Sequence, residues 1–197
     1  MSGVLEVTIL GCGSSGGVPR ADGEWGACDP ADPRNLRSRC SLLIRRRGEG
    51  GPEHETTVVV DTSPDFRLQS AGAGVKRLDA VLLTHDHADQ VHGIDDLRPY
   101  TFRTGAIEAW ADRRTLGVLR RRFDYVFATE SIYHALYRVR EIDGPFTAAG
   151  TVAVTPIPPG FSFTACPAPG LPATPSARAC AAASIARMMV SWIFTAA

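Results

Sequence analysis

Residues 4–10 read Val-Leu-Glu-Val-Thr-Ile-Leu, apolar and β-branched with a single acid, and run into Gly11-Cys12-Gly13-Ser14-Ser15-Gly16-Gly17. The pattern predicts a strand feeding a glycine-rich turn. Residues 21–37 are polar, with Pro and Asp, and read as a long loop; apolar positions return at 40–44 as a second strand. Arg45-Arg46-Arg47 is expected where that strand exits. Thr56-Thr57-Val58-Val59-Val60 is β-branched throughout, so a third strand follows the turn-rich 48–55 and pairs with the second as a hairpin. Asp61 then falls at a strand's carboxyl end.

Ser63-Pro64-Asp65 combines a capping hydroxyl, a preset first turn and a charge suited to a helix N-terminus, which predicts a helix over 64–71. Residues 78–83 form the next strand, 94–102 look helical, and 107–110 make a short strand. A helix from Asp112 places Leu116, Leu119 and Phe123 on one face and carries Arg113, Arg114, Arg120, Arg121 and Arg122. Residues 125–140 show no defined period, and 151–157 give a last strand. Strands and helices thus mix in an α/β (α+β) chain.

Composition divides this chain in two. From Phe161 onward there is no Asp, Glu, Lys or His, and Ala, Pro, Ser and Thr dominate. We expect a domain over 1–158 and an atypical Ala/Pro-rich tail of low order over 159–197. Lys plus Arg equals Asp plus Glu at 21 each, so no global field draws the molecule to nucleic acid or an anionic membrane. The N-terminus lacks a basic region and meets Glu6 before any long apolar run, and the apolar 183–197 is short and broken by Arg187. Neither reads as a signal or an anchor, so a cytoplasmic location without membrane attachment is expected. Cys12, Cys28, Cys40, Cys166 and Cys180 are odd in number and widely spaced, which fits reduced thiols.

The chemistry concentrates in Thr84-His85-Asp86-His87-Ala88-Asp89, directly after the apolar strand. In extended backbone, residues two apart point the same way, so His85 and His87 can present two imidazoles to one cation while Asp89 reaches a second beside it. Paired divalent ions acidify a water and clamp both oxygens of a hydrolytic displacement, as phosphodiester cleavage requires. Taken alone, the motif also fits a polar surface turn with two solvated histidines. Its neighbours decide.

The strand, Thr-His-x-His-x-Asp and the following Gly93-Ile94-Asp95-Asp96-Leu97-Arg98 resemble the metallo-β-lactamase superfamily. Residues 8–20, from Thr8-Ile9-Leu10-Gly11 to Gly17-Val18-Pro19-Arg20, and Val59-Val60-Asp61-Thr62-Ser63-Pro64-Asp65 are similar to its phosphodiesterase branch, which includes ribonuclease Z and the cyclic-phosphate phosphodiesterase of phosphonate utilisation. The resemblance covers about residues 4–157. It implies an αββα sandwich, here largely the N-terminal half with an irregular C-terminal tail. It implies His85 and His87 on a first divalent metal, zinc or manganese, and Asp89 on a second, so one or two ions. Asp89 and Asp61 are the catalytic carboxylates by this carry-over, Asp61 standing behind the ligands and steering them. The implied substrate is a small phosphodiester or nucleotide, or RNA, attacked through a metal-bound hydroxide, and a dimer is plausible for such a protein. Gly13, Ser14 and Ser15 in the glycine-rich turn, with Arg98, are the candidate phosphate contacts.

Two departures limit the match. Where the family has His after the Asp, this chain has Gln90, a weak candidate ligand whose amide oxygen suits harder ions than zinc. The family also draws further His and Asp ligands from its second half, whereas this chain has no acid after Asp143. A truncation or shifted reading frame near Pro158 is the expectation, and with it an uncovered apolar sheet edge or face. A non-catalytic remnant and a thioester or lactam hydrolase stand as alternatives.

Other signals are weaker. Gly11-x-Gly13-x-x-Gly16 matches a dinucleotide fingerprint without the helix that should follow. His92 could replace the ligand missing at Gln90 but reads as a capping or solvated residue, and His54 and His134 read as structural or exposed. The arginines of 113–122 fit a solvated helix face better than an RNA contact. Cys12, Cys28 and Cys40 offer weak support for a structural zinc.

Overall fold

A computed structural model describes residues 4–48, 54–128, 135–156 and 192–196. The first strand, β1 (Val4–Gly11), pairs antiparallel with β2 (Ser41–Arg47), which pairs antiparallel with β3 (Glu55–Val60). The expected hairpin is present, with Leu42 opposite Val60 and Ile44 opposite Val58. Beyond β3 the strands run parallel: β4 (Ala80–Leu82), β5 (Ile107–Ala111) and β6 (Tyr137–Glu141) complete a six-stranded sheet in sequence order.

Parallel neighbours need crossovers, and helices supply them. They are α1 (Phe66–Gly72), α2 (Ala88–Val91), α3 (Arg98–Thr104), α4 (Arg113–Arg122) and α5 (Asp124–Phe127). Val59, Val81, Ala109 and Ala111 pack with Phe66, Val91, Leu97, Leu116, Leu119 and Val126 in a core between the sheet and these helices. The alternate residues Leu42, Ile44, Val58, Val60, Ala80 and Leu82 face the other way. They bury against Ala148, Val152 and Val154 of a second, antiparallel sheet of β7 (Phe146–Ala148), β8 (Val152–Pro156) and β9 (Trp192–Ala196). A central sheet apolar on both faces therefore has a cover on each: helices, sheet and sheet are three of the layers expected.

Several expectations need correction. The basic triplet lies inside β2 rather than beyond it, because Arg45 and Arg47 pair across the strands with Glu6 and Glu55. The helix predicted over 94–102 divides into a 3-10 turn, Ile94–Leu97, and α3, since Pro99 lacks the N–H that a continuous helix would use. The stretch without a period contains β6, whose exposed Arg138, Arg140 and Glu141 hide the apolar alternation. The face expected to lie open is covered by the second sheet, whereas the edge strand β1 does expose Val4, Val7 and Ile9. Most of the Ala/Pro-rich segment, the expected break at Pro158, His134, Cys166 and Cys180 lie outside the described residues, although β9 falls within that segment.

Candidate metal centre

The carboxyl ends of parallel strands are where this architecture gathers polar side chains, and Asp61 follows β3 as Thr84 follows β4. Asp61 is fully buried and left-handed at φ 57°, a conformation that Asp and Asn tolerate better than other side chains. Its backbone N–H donates to Leu82 O at 2.8 Å, and the next residue, Thr62, donates to Gln90 O at 2.8 Å. Gly93 N–H returns the bond to Thr62 O at 2.9 Å. A Cβ at Gly93 would collide with Ser63 O and the Phe66 side chain, so only glycine lets the two segments lie this close.

The Asp61 carboxylate takes both donors of one residue: Thr84 N–H at 2.8 Å on Oδ1 and the Thr84 hydroxyl at 2.7 Å on Oδ2. Thr84 Oγ1 also lies 2.9 Å from His85 Nδ1. A hydroxyl has one proton. Given to the ionised Asp61, it obliges Thr84 to accept from His85 Nδ1–H, which leaves Nε2 with a free lone pair. Burial, then the neighbouring His87, lowers the His85 pKa, so the ring is neutral near pH 7. Burial pushes Asp61 the other way, to about 7, against the pull of the two Thr84 hydrogen bonds.

His85 and His87 stand edge to face with ring centroids 4.7 Å apart. Their nitrogens and an Asp89 oxygen all lie within 4.8 Å of one another. His87 is extended, as expected from the alternation, but Asp89 reaches the cluster from the first turn of α2. Gln90 follows, buried, with Nε2 donating to Asp89 Oδ2 at 3.1 Å and Oε1 without a partner. Two imidazoles, a carboxylate and an unpaired buried amide oxygen are a donor set that a divalent cation fits.

The loop is held from outside as well. Arg122 donates to Asp86 O at 2.6 Å and sits 3.6 Å from its carboxylate, with Arg114 at 3.9 Å. Two of the helix arginines therefore face the His-Asp-His segment, and Arg113 pairs with Glu141 at 2.8 Å. Nothing in the sequence pattern points to this contact, since only the tertiary crossing of α4 brings Arg122 to Asp86. Thr84 was part of the motif, but its bridge from Asp61 to His85 depends on a contact across the sheet.

Other candidates are placed as follows. Ser14 and Ser15 are exposed on a turn closed by Gly17 N–H to Ser14 O at 2.9 Å, Gly13 is buried, and Arg39 anchors the turn through Ser15 O at 3.2 Å. Burial raises the Cys40 thiol to about 12, with Asp61, Cys12 and Asp89 adding to the rise, so Cys12 and Cys40 share the neighbourhood of the centre. Arg98 pairs with Asp95 at 2.7 Å. His92 is exposed and packs edge to face on Phe123. The three cysteines considered for zinc do not converge: among the described residues the group that could hold a metal is His85, His87 and Asp89. Also among those residues, no helix is long and apolar enough to cross a membrane.

Residues 56–191 match the beta-lactamase superfamily domain, and the chain belongs to that family. A crystal structure of a diphosphatase from the PhnP family is similar at 30% identity and a TM-score of 0.62, covering 79% of this chain and 57% of that one. An octanoyltransferase of Porphyromonas gingivalis (strain ATCC BAA-308 / W83) is 40% identical over 123 residues, 62% of this chain and 24% of that protein. The short form of human tRNase Z is 18% identical with a TM-score of 0.46, covering 78% of this chain and 59% of that one. The chain thus spans little more than half the length of the diphosphatase and about a quarter of the octanoyltransferase.

Proposed function

We propose that this chain is a divalent-metal hydrolase of small phosphodiesters, cyclic phosphates or nucleotide-type esters, with zinc held by His85 and His87 and with Asp89 facing a second ion beside it. The convergence of those three side chains within 4.8 Å carries the reading. The likeness to a PhnP-family diphosphatase, at 30% identity, supports phosphorus as the centre attacked. A divalent cation supplies Lewis acidity: it lowers the pKa of water and offsets charge developing on a phosphoryl oxygen.

The protein's own residues do the rest. Thr84 keeps the proton on His85 Nδ1 and so turns Nε2 toward the ligand position. Asp61 holds Thr84 through two hydrogen bonds and, in its ionised form, supplies a negative charge behind the imidazole. Arg122 fixes the backbone between the two histidines. Ser14 and Ser15, exposed on the glycine-rich turn, are the residues we assign to the substrate phosphate, with Arg98 as a further cation. Cys12, Cys28 and Cys40 form no disulfide with one another, which suits a reducing cytoplasm.

A second reading has its own support. No Asp, Glu or His follows Asp143, so the ligands that complete a paired centre are not supplied from that part of the sequence, which favours a metal-binding protein without turnover. Metal analysis together with hydrolysis of bis(p-nitrophenyl) phosphate separates the two. Turnover that disappears in His85→Ala supports the hydrolase, and metal binding without turnover supports the second reading.

A further inference from the structure

Gln90 occupies the place where the family pattern has histidine, and its surroundings say what it is suited to bind. The residue is 8% exposed, and its amide meets two different fates. Nε2 donates to Asp89 Oδ2 at 3.1 Å, while Oε1 is buried without a partner. Turning the amide over would set its oxygen against the carboxylate, acceptor to acceptor, so Asp89 fixes the orientation. The backbone is clamped too: Gln90 N–H donates to His87 O at 3.0 Å, and Gln90 O accepts from Thr62 at 2.8 Å. A buried acceptor left unpaired bears its full cost of desolvation. It belongs to the same planar amide that touches a member of the metal-binding group. A cation relieves it, and a neutral amide oxygen serves hard, oxygen-seeking ions far better than zinc, which prefers imidazole and thiolate.

We propose that Asp89 and Gln90 form an oxygen-donor metal position beside His85 and His87, one that takes Mn2+ or Mg2+ in preference to Zn2+. The inference rests on the metal-centre reading of the His85, His87 and Asp89 cluster and adds the class of ion at its second position. The centre is then mixed, with a nitrogen-rich position for zinc and an oxygen-rich one for a harder ion.

The test uses the full chain, stripped of metal, given one equivalent of Zn2+ and then titrated with Mn2+. Loss of the free Mn2+ electron paramagnetic resonance signal reports binding, and far-UV circular dichroism verifies the fold of each variant. The wild type should bind one Zn2+ and then one Mn2+. Gln90→His should weaken Mn2+ at least tenfold and tighten a second Zn2+ by a similar factor, and Gln90→Leu should lose Mn2+ while keeping the first Zn2+. A zinc-loaded protein that takes up no Mn2+, or a Gln90→His variant with unchanged preference, overturns the inference and leaves the first site standing. Failure of the first Zn2+ to bind, before any Mn2+ is added, overturns the cluster reading and this inference with it.

Discussion

Thr84 is the residue on which the chemistry of His85 turns, because its single hydroxyl proton decides which imidazole nitrogen is free. Thr84→Val keeps the shape and removes that hydroxyl. Zinc affinity should fall about 10- to 100-fold, as for the loss of other groups that orient metal ligands, and competition with a chromophoric chelator measures it. Asp61 makes a prediction about pH. Its pKa rises on folding from 3.8 to about 7, so the folded state holds a proton that the unfolded chain has released. The stabilisation is complete below about pH 4 and is lost as the pH climbs to 7. Urea denaturation of the metal-free protein should show stability falling over that window, and Asp61→Asn, which tolerates the same left-handed backbone, should remove that component. The pair His85 and His87 was legible in the sequence because strand alternation alone brings them together. Asp89 was legible as a ligand but not by its route, since the sequence offered extended backbone where a helical turn forms at Ala88.

At the scale of elements, α4 acts on the centre from a distance by way of Arg122. Arg122→Met keeps the aliphatic stem but leaves the buried Asp86 with a weaker partner and its carbonyl without a donor. The half-exposed guanidinium limits the cost to roughly 1–2 kcal/mol, seen as a lower melting temperature, with zinc affinity falling as the loop loosens. The apolar periods of β2, β3, β4 and α4 were readable because burial on a fixed face leaves a mark in every second or third residue. That mark fails at β6, where charged positions border the sheet edge, and at β7, which is only three residues long. The arginines of α4 read as a solvated face for the same reason: sequence periodicity says which side is apolar, not what lies across from the polar side.

For the whole molecule, the two sheets depend on each other through the layer of Leu82, Val58, Val60, Val152 and Val154. Leu82→Ala should cost about 2–5 kcal/mol, measured by urea denaturation, because the rigid sheets cannot close over the space left. The fold class was legible from the alternation of strands and helices together with three motifs in order. Of the partner sheet only β8 was legible, since β9 reaches it from across a long Ala- and Pro-rich stretch and the pairing of strands so far apart leaves no mark in local sequence. The account stands or falls on the cluster at the end of β4. Equilibrium dialysis against zinc followed by elemental analysis tests it most directly, comparing the wild type with a His85→Ala, His87→Ala double variant. The account predicts at least one zinc retained per chain in the first and none in the second. Equal zinc in both proteins, or none in either, would contradict it.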